Sequence, residues 1–537
     1  MIGNRFHVSK RQAAAGVIFG IAAALMFLAG GMLEREGYLH APGGGELAAF
    51  AARGAVLSFA SCLLLQLAKG KREEAPDAGE LQKNAVRLWG LLVLVHLVFL
   101  LSVYPGFFVY DASEELAMVQ SRQFTTHHPL LHVLLMGGVI QAVHKVTGSY
   151  NAGIFVYSLL QVAVIDAVFA YAFARISMEG ASKGMRRFTV IFFAICPPVV
   201  LFTLCTCKDG IFAAALLVLT VLLRDLITSP EAFLRSKAGM AALAVSAAVM
   251  MLFRHNGVYA YLVFAAVFAV YAVFRKMKRA VVIIFLPLLM YAVINAGLTA
   301  VTHATSEESQ EILTVPIQQL ARTYLSSGED FSKEEKELML SLMEERDWQR
   351  YNPKLSDQVK VRFDNAVYRN NRSAFFAMWL RQGRLHPASY LNAWLMTSYG
   401  FWYPDAVIDC YRGNTVYTFT YGDSSYFGYE TEKPGERRSL IPELDRAFRT
   451  LSLEAWPQKT PILHLILAPG AVFLCWLFCI LGILLRGEKA RRSGLSGVLP
   501  YLPVMLTFLT VLLGPCALPR YVVYLWFGLP LVIHDLS

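Results

Sequence analysis

Four carboxylates, two histidines and three cations stand in polar interruptions of a strongly apolar chain. Asp111 closes the aromatic stretch YPGFFVYD at 104–111, and Glu114 and Glu115 follow it at helical spacing. A carboxylate flanked by Phe107, Phe108 and Tyr110 has its basicity adjusted by partial burial while it can still reach a substrate proton, so Asp111 is a candidate general base. Glu114 and Glu115 could assist it, position a ligand or face water. His127 and His128 follow in THHPLLH (126–132), Lys208 and Asp209 in CKDG (207–210), Arg254 in FRHNG (253–257) and Arg520 in LPRY (518–521). Guanidinium donates two parallel hydrogen bonds to phosphate oxygens, so Arg254 and Arg520, with Lys208, suit a phosphate held near a bilayer surface; their plainer use is snorkelling to headgroups. Tyr104, at the start of the aromatic stretch, joins them as a ligand contact. Two adjacent histidines on a turn cannot easily face one ion, and hard cations prefer oxygen. His127 and His128 are therefore expected to hydrogen-bond a phosphate or Asp111 and to cap the helix opened by Pro129, with no residue assigned as a metal ligand.

These residues need a scaffold, and the composition says what kind. The 537 residues are 56% hydrophobic and only 16% charged, with mean hydropathy +0.47, whereas soluble domains carry about 25% charged residues. The formal net charge of +10 lies in short basic clusters between apolar runs, as the positive-inside rule expects, and nucleic-acid binding is excluded as its reason. Neither a phosphate-binding GKS/T loop nor a dinucleotide fingerprint is present. The run Ala13–Leu33 exceeds a signal-peptide core and reads as a retained first span.

The expected fold is an all-α polytopic membrane protein with about twelve spans of about 20 residues each. Two spans and a cytoplasmic linker occupy 1–87, a catalytic membrane module 88–301, a mainly helical external domain 302–461, and the last three spans 462–537. The lysines and arginines of 69–87 place that linker in the cytoplasm, so the third span exits at Tyr104 and the 104–150 loop is external. Residues 129–146 carry His132, Gln141, His144 and Lys145; counted as a span they would put Arg175, Lys183, Arg186 and Arg187 outside, so an interfacial or re-entrant helix is expected there. Both termini then face the cytoplasm. Ser332 with Glu335 fits a capping box, and 385–403 reads as an aromatic-rich helix lying against the membrane. Cys205, Cys207, Cys410 and Cys516 fall at the external face, where a disulfide among them could form.

Taken together, YPGFFVYD, THHPLLH, CKDG, FRHNG, VPIQQLAR (315–322) and LPRY resemble the GT-C superfamily of integral-membrane glycosyltransferases, in a largely uncharacterised bacterial branch, from about residue 88 to the end. The resemblance implies a polyprenyl-phosphate-sugar donor, Asp111 in the position of the catalytic base, Asp209 as a second acidic residue, and Arg254 and Arg520 meeting the lipid phosphate. Two spans precede the region where that fold begins. Asp111-Ala112-Ser113-Glu114 replaces the D-x-D or D-E pair of the superfamily, which leaves a divalent cation, magnesium or manganese, open as cofactor.

The expectation is an inverting sugar transfer, on the external face of a bacterial cytoplasmic membrane, to a cell-envelope glycan or lipid acceptor. Gln318, Gln319 and Trp402 are candidate acceptor contacts. The competing reading is a transporter or flippase of a lipid-linked or anionic substrate, for which the argument is Asp166, near the middle of a span and expected to pair with a polar neighbour such as Asn295.

Overall fold

In lipid every backbone N–H and C=O must be satisfied within its own segment, so apolar runs of membrane length fold as helices. The computed structural model describes residues 9–68, 73–74, 76–306, 309–410, 433–454, 456–486 and 493–537; among them there are helices and isolated bridges but no strand. The first thirteen helices are α1 (Lys10–Glu36), α2 (Gly44–Leu67), α3 (Ala78–Ser102), α4 (Ala112–Ser121), α5 (Leu130–Thr147), α6 (Tyr150–Met178), α7 (Lys183–Ile195), α8 (Pro197–Leu204), α9 (Asp209–Thr228), α10 (Pro230–Arg235), α11 (Lys237–Phe253), α12 (His255–Phe274) and α13 (Lys278–Thr302). The intervening region holds α14 (Ser309–Ile312), α15 (Thr314–Ser327), α16 (Lys333–Leu342), α17 (Glu345–Trp348), α18 (Asp357–Lys360), α19 (Asn365–Asn370), α20 (Arg372–Leu385), α21 (Pro387–Trp402), α22 (Pro442–Leu453) and α23 (Trp456–Lys459). The chain closes with α24 (Pro461–Leu467), α25 (Pro469–Leu484), α26 (Gly494–Val498), α27 (Leu502–Val511) and α28 (Val523–Leu536).

The protein is an all-α, multi-pass membrane protein. Among the described residues nine helical segments are long and apolar enough to cross a bilayer, and eleven if each bent pair makes one span. The differences from the expected twelve have local causes. The segments at 188–206 and 462–485 are broken, by 48° between α7 and α8 and by 72° between α24 and α25. Pro197 and Pro469 stand at the breaks, where proline removes a helix donor and crowds the preceding turn. Helices α11 and α28, at 17 and 14 residues, fall short of a full span. Helix α5, expected to be interfacial, has 18 residues and counts among the nine: His132 is buried in protein and His144 stacks on Tyr150 at 3.7 Å, so neither ring needs to face lipid. The basic residues at 69–72 and 487–492, on which the sequence topology leaned, lie outside the described residues, as does 411–432 of the expected external domain.

Asp166 does not pair with Asn295. Its Oδ1 lies 2.8 Å from Nδ1 of His96 on α3, and both side chains are fully buried. All eight cysteines are free thiols, so Cys205, Cys207, Cys410 and Cys516 form no disulfide. The intervening region has a core of its own around Ile317, Leu320, Met339, Trp348 and Phe375, and Ser332 and Glu335 cap α16 reciprocally as expected.

Two buried ion pairs set the register of the bundle. Asp209, opening α9, accepts from Arg520 Nε at 3.0 Å; at the far end of α9, Arg224 donates from Nε to Asp535 on α28 at 2.9 Å. Each pair is separated by 311 residues, so α9 and the segment leading through α28 run parallel in one register, clamped at both ends. Arg224 also reaches Glu179 at 2.8 Å, and Tyr501 donates to Asp535. Removing the cation from such a cluster strands buried charge, which costs about 3–5 kcal/mol. Arg224→Met is expected to lower the melting temperature of the detergent-solubilised chain sharply, and the double substitution Arg224→Met, Asp535→Leu to recover part of the loss; a single variant as stable as wild type refutes the clamp.

Candidate functional site

The Asp111 stretch is held at one end of the bundle by the loop that precedes α9. The N–H and the Oγ1 of Thr206 both donate to the carbonyl of Phe107, each at 3.0 Å. Tyr110 then takes φ 59°, a left-handed conformation that costs a bulky residue energy and persists only where packing imposes it. It turns the chain into α4, whose Ala112, Glu115 and Leu116 face inward at helical spacing against Met136, Ile140 and Ile154. Asp111, at the N-cap of α4, is thereby delivered beside Lys208, at the N-cap of α9.

Lys208 Nζ lies 2.8 Å from Asp111 Oδ2, 3.2 Å from His128 Nδ1 and 3.6 Å from Glu115 Oε1. An ammonium has three protons and no acceptor, so three acceptors converge on it. Arg520 bridges two aspartates, donating from Nη2 to Asp111 Oδ2 and from Nε to Asp209 Oδ2, both at 3.0 Å. Arg254 takes the other oxygen of Asp209. Both contacts to Asp111 fall on Oδ2; among the described residues Oδ1 makes no hydrogen bond. The guanidiniums are sandwiched by rings: Arg520 lies 4.1 Å from the Tyr110 centroid and 5.4 Å from that of Tyr521, and Arg254 lies 5.1 Å from Tyr521. Beneath them Glu115 accepts from His132, whose other ring nitrogen meets the Thr206 carbonyl and the Tyr157 hydroxyl at 3.1 Å each.

Asp111, His127, His128, Lys208, Arg254 and Arg520 line one cavity of about 380 Å³. Six of the sequence-predicted residues, drawn from five separate segments, therefore meet. Asp209 lies behind the wall, fully buried, and Glu114 stands mostly exposed with its carboxylate 3.5 Å from His128 Nε2. Four of the sequence-predicted residues lie outside that cavity. Tyr104 packs on Phe155. Gln318 donates to the Asn352 carbonyl, Gln319 is fixed between the Tyr390 carbonyl and the Trp379 indole, and Trp402 packs beside Leu33 and Met396. Polar side chains on α15 and α21 satisfy backbone groups of their own region.

The opposite wall was not foreseen. Lys360 on α18, with Glu311 at 2.6 Å and Asp357 at 3.1 Å, faces the cavity together with Asn256. The sequence SDQVK reads as a solvated helix face, and nothing local separates it from one. Glu115 and His132 were legible in part: His132 is one turn beyond His128, and Glu115 sits one turn before Val119 on the apolar face of α4.

The magnesium or manganese left open by the resemblance meets an obstacle. Asp111, Glu115 and His128 offer ligand atoms within 4.8 Å of one another, but Lys208 Nζ stands among them, where a dication would face an ammonium. The trio as folded does not fit a divalent ion.

Burial disfavours the charge on Asp111, yet Arg520, Lys208 and His128 outweigh it and hold the carboxyl well below its usual range. Glu115 is lowered in the same way, burial being outweighed by His132 first and then Lys208 and His128. Burial pushes Lys208 down, but Asp111 and Glu115 raise it above the ordinary lysine value.

Residues 87–534 match a family described as being of unknown function, DUF6020. No curated protein matches the chain, and no solved structure does.

The depressed carboxylates fix a pH dependence. Their contribution to stability is fully present above the unfolded values of about 3.9 for Asp and 4.3 for Glu, and is lost as pH falls through the lower native values. Lys208→Gln removes a cation that lowers both groups, so their native values move back toward the unfolded ones, and the variant should be less stable at neutral pH and lose less stability than wild type as pH falls through the acid range. Thermal melts from neutral pH downward measure this, and coincident acid limbs would rule out the coupling.

Proposed function

Since the chain belongs to the DUF6020 family, whose membership brings no activity with it, we propose a function from the cavity: a membrane glycosyltransferase that moves a sugar from a polyprenyl-phosphate donor to a cell-envelope glycan or lipid acceptor. One observation carries the reading. A carboxylate with one oxygen that makes no hydrogen bond among the described residues shares its other oxygen with Lys208 and Arg520 at the wall of a cavity that Arg254 also enters.

In this reading the cations have two employers. Without donor, Arg520 and Lys208 hold Asp111, which keeps it ionised but weakly basic. A donor phosphate offers the same cations better oxygens, and guanidinium–phosphate contacts are strong and directional. As they turn to the phosphate, Asp111 loses the charges that depress it and its basicity rises. Its carboxylate then takes the acceptor hydroxyl proton as the acceptor oxygen forms its bond to the anomeric carbon and the bond from that carbon to the lipid phosphate breaks. Arg520, Arg254 and Lys208 stabilise the phosphate that departs, so no strong general acid is required. The new bond forms on the face opposite the leaving phosphate, which inverts the anomeric centre. Base strength is thus coupled to donor occupancy.

Sidedness draws support from the other end of the bundle. A groove of about 860 Å³ between α10 and the α12–α13 turn is lined by Arg235, Arg275, Lys276, Lys278 and Arg279. The positive-inside rule assigns that end to the cytoplasm and the Asp111 end to the outside. The alternative, a transporter or flippase of a lipid-linked or anionic substrate, draws on the buried His96–Asp166 pair.

Asp111→Asn, at normal protein level in membranes, should lower transfer from radiolabelled polyprenyl-phosphate sugars by about 10²–10⁴-fold, the usual contribution of a general base. Full activity in that variant would remove Asp111 as base. If no donor supports transfer while Asp166→Asn abolishes substrate uptake, the transporter reading replaces this one.

A further inference from the structure

Lys208 is placed where a catalytic metal would have to be. Asp111, Glu115 and His128 form a ligand trio beside the cavity, their donor atoms within 4.8 Å, and the ammonium sits 2.8, 3.6 and 3.2 Å from these three groups in that order. We propose that Lys208 is the resident cation of this site, doing with a fixed single charge what a divalent ion would otherwise do, and that the chain works without a metal there.

Three features of the surroundings favour this over a lysine that withdraws to admit an ion. First, the backbone cannot yield easily. Lys208 follows Thr206, whose N–H and hydroxyl are both tied to the Phe107 carbonyl, and it precedes Asp209, which two arginines hold. Second, the side chain is nearly buried, with 11% of it exposed, and its ammonium is already hydrogen-bonded to Asp111 and His128 and ion-paired with Glu115. Third, the ion-pair network around Lys208 is balanced in itself: Asp111, Glu115 and Asp209 stand against Lys208, Arg254 and Arg520, while Glu114 and the Glu311–Lys360–Asp357 group lie outside it. An added dication would leave this cluster two charges in excess; removing the ammonium would leave it one charge short and the trio open.

The inference deepens the glycosyltransferase reading, on which it rests for its catalytic meaning: the ammonium, between Asp111 and an incoming phosphate, can neutralise that phosphate without an ion to bind or release. Its test does not depend on transfer. The full chain in detergent is titrated with Mn²⁺ and free Mn²⁺ is followed by electron paramagnetic resonance, for wild type, Lys208→Gln, and Lys208→Gln with Glu115→Gln. Wild type should take up no Mn²⁺ at this site, the single variant one ion per chain, and the double variant none.

Uptake by wild type that Asp111→Asn abolishes would overturn the proposal, as would a folded Lys208→Gln chain that binds no ion. The wild-type arm decides the matter even if Lys208→Gln does not fold. A chain that follows the expected pattern yet transfers no sugar from any donor contradicts the glycosyltransferase reading and leaves the assignment of Lys208 standing.

Discussion

A buried charge must find its partner, and in this protein that demand fixes how two distant segments lie together. Asp209 with Arg520 and Arg224 with Asp535 are buried pairs, with carboxylate and guanidinium exchanged between the segments from one end to the other. Fifteen residues, about 22 Å of helix, separate the pairs on each segment. A slip of one turn would break both at once. Buried ion pairs add little net stability compared with apolar packing, but they penalise every alternative register heavily. In a bundle whose surfaces are apolar toward both lipid and neighbour, shape alone discriminates registers weakly, so the two clamps carry much of the specificity.

The site inherits its geometry from this clamp. Arg520 reaches Asp111 only because Nε is already committed to Asp209, and Lys208 reaches it because α9 begins at the same level. The loop that brings Asp111 is bent at Tyr110 into a left-handed conformation, and the Tyr110 ring lies against Arg520, so the strained residue also supports the cation that holds its neighbour. The resulting cluster is preorganised, its guanidiniums oriented by Asp209 and by the aromatic rings before any ligand arrives, so under the proposed transfer the reorganisation would consist of exchanging one set of oxygens for another.

What the sequence disclosed follows from how far each signal reaches. Membrane class is a property of composition, and the cap at Ser332–Glu335 is a property of four residues, so both could be read directly. The gathering of Asp111, His128, Lys208, Arg254 and Arg520 was legible because charge next to hydrocarbon is costly and functional, and each sits at the end of an apolar run. Which carboxylate each cation chooses was not legible, since Asp209 and Arg520 are 311 residues apart and no local pattern links them. Asp166 illustrates the same limit, since its partner His96 lies 70 residues away on another helix. Gln318, Gln319 and Trp402 lie away from the cavity, and their amides and indole serve backbone carbonyls and packing within their own region.

The cavity is completed by a part of the chain that need not cross the bilayer. Ser356 donates its N–H to the Pro515 carbonyl at 2.9 Å, and Leu355 bridges to Cys516, so α18 is anchored to the same loop that leads into Arg520. Lys360 thus faces the membrane-side cations across the opening. The hairpin α1–α2, outside the family match, braces this region from another side: Leu39 donates to Asn392 at 2.8 Å and Arg322 donates to the Gly37 carbonyl at 3.0 Å. None of its residues lines the cavity. The cavity therefore belongs to the matched region, while the hairpin braces α15 and α21, whose neighbour α18 carries the cavity wall not built from the clamped bundle.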